Sequence, residues 1–133
     1  MKKVFYNNWL AKTFLYGAHT ITIGPFVLTK RDSLPQSVIN HECVHARQWI
    51  EMTVASGLII WLLMLIFDIS AWWMLLASLT FYIWYVTEFL ILFCNHPYKD
   101  AYKAISFERE ARASEFDSNY LENAHYFSWV KYL

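Results

Sequence analysis

Residues 53–67 read TVASGLIIWLLMLIF and residues 69–87 read ISAWWMLLASLTFYIWYVT. Neither run holds a charged side chain, and Asp68 alone separates them. Trp49, Ile50 and Met52 lengthen the first run, and Phe89–Cys94 extends the second past Glu88. A helix needs about 20 apolar residues to cross the ~30 Å hydrocarbon layer of a bilayer. The second run meets that length alone and the first meets it with its extension. Residues 53–94 therefore read as a transmembrane helical hairpin with a tight turn around Asp68–Ser70. The competing reading is a buried hairpin in a soluble protein. A chain of 133 residues supplies too little surrounding protein to cover a core this apolar.

Composition agrees. The chain is 57% hydrophobic, against about 45–50% for an ordinary soluble domain, and its length suits one domain. Formal net charge is zero, from 11 basic and 11 acidic side chains. No basic stripe marks a nucleic-acid partner. All 11 Lys and Arg lie in the flanks of the hairpin and none at the Asp68 turn. The positive-inside rule then puts both termini on the cytoplasmic side. Met1-Lys2-Lys3 is a basic start, but Asn7, Asn8 and Lys12 break any signal-peptide core. Cys43 and Cys94 suit a reducing compartment and give no disulfide framework. Trp61, Trp72, Trp73 and Trp84 read as lipid-facing and interfacial packing.

Upstream of the hairpin, His19-Thr20-Ile21-Thr22-Ile23 alternates polar and apolar residues, and Phe26–Thr29 resumes the pattern after Gly24-Pro25. Alternation of period two predicts a strand, and Pro within it predicts an edge strand or hairpin over residues 19–29. Val4–Tyr6 is a further short strand or helix start. Lys30–Pro35 is a loop. Ser33-x-x-Gln36 has the form of a capping box, with Pro35 in the first helical turn. The helix over residues 34–52 meets no Gly or Pro until Gly57, so it runs into the first apolar segment. Downstream, residues 97–133 read as C-terminal helices: one over 98–118, then a short one with an aromatic face of Tyr120, Phe127 and Trp129. The fold class is mainly α.

The 34–52 helix carries His41-Glu42-Cys43-Val44-His45, the pattern H-E-x-x-H. Helical positions four apart share a face, so His41 and His45 can hold one metal ion, zinc being the usual occupant. Glu42 lies beside them as a general base for a water. Cys43 points to the opposite face. A catalytic zinc site uses three protein ligands, and the candidates for the third are His19, Glu88, His96, Glu108, Glu110 and His125. Ser106-Phe107-Glu108-Arg109-Glu110-Ala111 offers two acids on a predicted helix; the bland reading of Glu108 is an i,i+4 ion pair with Arg112. Glu88 sits level with residue 48 if the hairpin folds at Asp68. It reads better as an interfacial acid, bonded to Gln48 or a lysine.

His41-Glu42-Cys43-Val44-His45, then Gln48, then apolar helices, then Phe107-Glu108-Arg109-Glu110-Ala111, resembles the gluzincin metallopeptidases, above all the membrane-embedded CAAX-prenyl-protease group and minimal gluzincins. The resemblance spans roughly residues 20–115, and about ten residues carry it. It implies that an E-x-E-A-D-like motif supplies the third zinc ligand from its first Glu, here Glu108 with Glu110 as the alternative. It also implies an Asp supporting a ligand histidine. Arg112 stands at that position here, and Arg cannot accept a hydrogen bond from an imidazole. The family further implies an edge strand that pairs with an extended substrate beside the motif helix, in the position of residues 19–29.

The expected function is a membrane-bound zinc metallopeptidase of a bacterial inner membrane, with its active site on the cytoplasmic side. Glu42 would be the general base, and His41, His45 and Glu108 would hold Zn2+. Its partners would be the lipid bilayer and an extended peptide or membrane-proximal protein segment. Two helices make a thin scaffold, so a homo-oligomer is plausible, although no G-x-x-x-G face supports one. The alternatives are a non-catalytic zinc-stabilised membrane adaptor and a membrane hydrolase of a non-peptide amide or lipid.

Overall fold

The structure, a computed structural model, describes residues 4–7, 9–14 and 19–133. It is mainly helical with a small three-stranded sheet. The sheet holds β1 (Val4–Phe5), β2 (Thr20–Ile23) and β3 (Phe26–Thr29), with helix α1 (Trp9–Phe14) between the first two strands. Its order is β1-β3-β2. β2 pairs antiparallel with β3, Thr22 opposite Val27, and β1 pairs parallel with β3. Pro25 thus lies in the β2–β3 turn and not within a strand, and Gly24 takes φ 58° there. Glycine meets that angle without the Cβ penalty other residues carry.

Helix α2 (Gln36–Phe67) runs 32 residues without a break, about 48 Å at 1.5 Å per residue. It joins the H-E-x-x-H segment to the first apolar run as one rod. The capping box does not form. Pro35 is the N-cap without a side-chain bond, and Gln36 Nε2 instead donates to Asn40 Oδ1 at 2.7 Å. Asp68 ends α2 in the left-handed region at φ 49°. A 3₁₀ turn (Ala71–Trp73) follows, capped by Ser70 Oγ, and leads into α3 (Met74–Phe93).

α3 returns along α2. Gly57 lets the two approach, since a Cβ built on it would lie 3.7 Å from Ala77 Cβ. Ser56 Oγ reaches Ala77 O at 3.3 Å, and Trp49 Nε1 donates to Ser78 O at 2.9 Å. Both helices are long and apolar enough to cross a membrane, and only 11% of each apolar window is buried within the protein. Leu58, Ile59, Leu62, Leu65, Ile83 and Ile91 all face outward. Patches of that size and polarity are rare on soluble monomers.

The C-terminal part departs from the single helix expected over residues 98–118. α4 (Tyr98–Ala104) stops at Ile105, whose backbone is extended (ψ 132°), and α5 (Ser106–Ser114) begins anew. The cause lies elsewhere in the chain. Glu88 accepts from Ser106 N at 2.8 Å and from Ser106 Oγ at 2.7 Å, so an acid on α3 satisfies the start of α5. Among the described residues Glu88 bonds to neither Gln48 nor a lysine. A short helix α6 (Tyr120–Asn123) and a 3₁₀ turn (Ser128–Tyr132) end the chain.

The core gathers where these parts meet: Met52 of α2, Phe81 of α3, Ile105, Phe107 of α5 and Trp129. Phe107 stacks on Phe81 with centroids 4.8 Å apart and meets Trp129 edge-on at 4.7 Å. Arg47 ties α2 to the C-terminal segment, pairing with Glu51 at 2.8 Å and donating to Ala124 O at 2.8 Å. The buried Glu51 in turn accepts from Phe127 N at 2.9 Å.

Candidate metal centre

His41 and His45 occupy one face of α2, and α5 crosses that face with Glu108 pointing inward. The two Nε2 atoms lie 3.2 Å apart. Glu108 Oε1 is 3.2 Å from His45 Nε2, and Glu108 Oε2 is 3.6 Å from His41 Nε2. Donors about 2.0–2.1 Å from a tetrahedral zinc lie about 3.3 Å from one another. The three side chains thus form a cluster that could hold a metal ion.

The hydrogen bonds around the cluster orient its donor atoms. Gln48 Nε2 donates to Phe107 O at 3.2 Å and to Glu110 Oε2 at 2.7 Å. Its Oε1 must therefore face His45 Nδ1, 2.8 Å away, and that nitrogen carries the ring hydrogen. In the neutral ring His45 Nε2 then directs its lone pair at the cluster. Glu115 Oε2 lies 3.5 Å from His41 Nδ1 and favours the same tautomer there. Carboxylate and amide partners on the far ring nitrogen are how metal-binding histidines are oriented. Glu108 is buried, and its Oε2 has no hydrogen-bond partner. An ionised oxygen in that state is costly unless a cation faces it, and the partly exposed Arg112 is the cation the described side chains bring near.

Electrostatics within the protein point the same way. Burial opposes ionisation of Glu108, but hydrogen bonds and charge from His41 and His45 outweigh it and hold its carboxyl well below the usual range. Arg112 Nη2 lies 3.3 Å from Glu108 Oε2 and its guanidinium sits over the Tyr102 ring, so the i,i+4 ion pair exists beside the cluster. Tyr85 donates to Glu108 Oε1 at 2.8 Å. Burial, then the charge of Glu108, pushes Tyr102 up to about 12, so it keeps its proton.

Of the other candidates, Glu110 has both oxygens engaged away from the cluster, by Gln48 and by the Tyr120 hydroxyl at 2.7 Å. Glu88 caps α5, and His19 precedes β2. His96 and His125 are exposed and fall outside the cluster. Sequence reasoning missed Tyr85, which carries no local motif, and Glu115, a carboxylate seven positions after Glu108 on the same side of the chain. It also missed Thr22, whose role depends on a strand packing beside α2.

Thr22 Oγ1 donates to Glu42 Oε2 at 2.6 Å and reaches Glu42 O at 3.2 Å. The base candidate is thereby held at the mouth of a cleft of about 330 Å³, floored by His41, His45 and Glu108 and walled by Phe81, Tyr82 and Val86, with Ile21 at its rim. β2 forms one rim. Lys30 N donates to His19 O at 3.0 Å. Counting along the register from that bond, Ile21 and Ile23 turn their backbone groups toward β3. Thr20 and Thr22 turn theirs outward, along an edge that no described strand pairs with.

Compared with protein-family models, curated proteins and solved structures, the chain matches none.

Proposed function

We propose that this protein is a membrane-anchored zinc metallopeptidase, with the α2–α3 hairpin spanning the bilayer and the cleft at its cytoplasmic edge. The observation that carries the reading is Glu42, a half-buried acid bonded to Thr22 at the mouth of a cleft whose floor is the His-His-Glu cluster. A cluster that only braced helices together would need no carboxylate there.

His41, His45 and Glu108 would hold the ion, which when bound supplies an acidified water and a polarised carbonyl. An extended peptide would lie along the open edge of β2, its backbone bonded to the outward groups of Thr20 and Thr22. Glu42 then takes the proton of the attacking water and returns it to the leaving amine. Tyr102, held protonated in the cleft wall, is a donor for the oxyanion that forms on the carbonyl. Lys and Arg lie only in the flanks of the hairpin, which supports a cytoplasmic side for this machinery.

The test is metal analysis of protein purified in lipid nanodiscs, paired with Glu42→Gln. One zinc per chain is expected in both proteins. Hydrolysis of lipid-anchored peptide libraries is expected only from the unaltered chain. A chain without zinc, or a variant that still hydrolyses, overturns the reading.

A further inference from the structure

The small sheet carries its polarity inside out. Ile21 and Ile23 of β2 oppose Leu28 and Phe26 of β3, and Phe5 of β1 is level with Leu28. Residues paired across strands share a face, so these five form one apolar surface. That surface points away from the protein: Ile23 is 51% exposed, Phe5 44%, Phe26 39% and Ile21 38%. The face toward α2 is instead rich in threonine, with Thr29 fully buried and Thr22 bonded to Glu42. A sheet with one face in water shows the opposite alternation.

The hairpin tip is pinned against the apolar helices. Gly24 N donates to the Tyr82 hydroxyl at 2.7 Å, and a Cβ at Gly24 would lie 3.6 Å from the Trp49 ring. Tyr82 is 14 residues beyond Asp68, about 21 Å along α3. If the Asp68 turn lies at the far surface of a ~30 Å hydrocarbon layer, the tip sits below the near surface. The base of the hairpin has the opposite character. Lys30 and Arg31 follow β3 directly, about 13 Å from Phe26 at strand rise. That is the distance from acyl chains to headgroups, where basic side chains contact anionic lipid.

We propose that the β2–β3 hairpin is itself seated in the bilayer, its Ile21–Ile23–Phe26 face against acyl chains and Lys30 and Arg31 among the headgroups. The free edge of β2 then lies at the membrane surface, and the substrate class is a lipid-embedded segment that unfolds onto that edge, not a peptide arriving from water. This rests on the reading that α2 and α3 span the membrane, and the experiment separates the two.

Cysteines at Ile23, Ile21, Asp32 and Ile83 are introduced one at a time in a Cys94→Ser background, in which the remaining Cys43 is buried, and spin-labelled. The full chain is placed in phosphatidylcholine–phosphatidylglycerol nanodiscs, and collisions with oxygen and with a water-soluble nickel chelate are compared. The oxygen-to-nickel ratio is expected to be several-fold higher at positions 23 and 83 than at 32, with 21 between. Lipid-like values at 83 with water-like values at 23 and 21 overturn the seated hairpin while leaving the spanning helices intact. Water-like values at 83 as well overturn both. Low access to both reagents at 23, with spin–spin broadening between copies, also overturns it, in favour of a face buried against a second chain. Because positions 21 and 23 report separately, misfolding of one variant leaves the other to decide.

Discussion

The hydroxyl of Thr22 donates to the Glu42 carboxylate at 2.6 Å, binding a strand of the sheet to the base candidate on α2. That bond orients Glu42 without touching the cluster. Thr22→Val keeps the shape and removes the donor. We expect unchanged zinc content and a fall in kcat of roughly tenfold or more, since a hydrogen bond to a charged group is worth about 1.5–3 kcal/mol. A matching loss of zinc would show that Thr22 shapes the cluster instead. Steady-state kinetics beside metal analysis reads both.

The two acids of α5 should separate by metal affinity. Glu108→Gln removes a charged ligand and is expected to abolish stoichiometric zinc. Glu110→Gln leaves the ligands in place but disturbs the amide that orients His45. Its expected cost is about 10–100-fold in affinity, the usual range for partners of a ligating histidine. Competition with a chelating dye measures both. Equal losses in the two variants would contradict the assignment of Glu108 as the ligand.

Metal retention should fall steeply in acid. Both imidazoles must present a bare Nε2 to bind. At His45 burial is outweighed by the hydrogen bond and charge of Glu108, which raise its pKa above the ordinary histidine value. As pH falls through that raised range protons compete with the metal, and two of them predict up to about a hundredfold loss of affinity per pH unit. Glu108, held well below the usual carboxylate range, stays ionised through this window and adds no slope. Equilibrium dialysis across the range gives the slope. A flat profile to pH 5 would count against two histidine ligands.

Glu88→Ala should destabilise without touching the chemistry. It strips the two bonds that begin α5 and leaves Ser106 N–H buried without its acceptor. The expected cost is about 1–3 kcal/mol in unfolding of the metal-free chain, with Glu88→Gln losing less because one acceptor oxygen remains. Denaturation in detergent micelles, compared across the three chains, tests the order.

What the sequence made legible was local and periodic. The uncharged runs and the single Asp68 between them foretell two helices and their turn, and the alternation over residues 19–29 foretells the hairpin. The i,i+4 histidines and the acids of α5 foretell which side chains the structure gathers. What stayed hidden depends on contacts between distant segments. The break at Ile105 has no Gly or Pro, because its cause is Glu88 on another helix. Ser33 looked like a cap by spacing, yet Pro35 takes the N-cap position. The parallel pairing of Val4–Phe5 with β3 has no signature in two residues. Gln48 read as a partner for Glu88 and as part of the motif, and its bond to His45 emerges only when Glu110 arrives from α5 to fix its orientation.

α2 is one unbroken rod from Gln36 to Phe67, with no glycine before Gly57 and no proline. The two histidines are thus fixed to its far end as rigidly as marks on a ruler. Glu108 belongs to a different body, the C-terminal cap, which is tied to the rod by Arg47 and Gln48. An ion in the cluster would be a bolt between the two. With the hairpin in a bilayer as proposed, a change in bilayer thickness that tilts the rod would load that bolt directly, and the lipid would act as a mechanical input to the site.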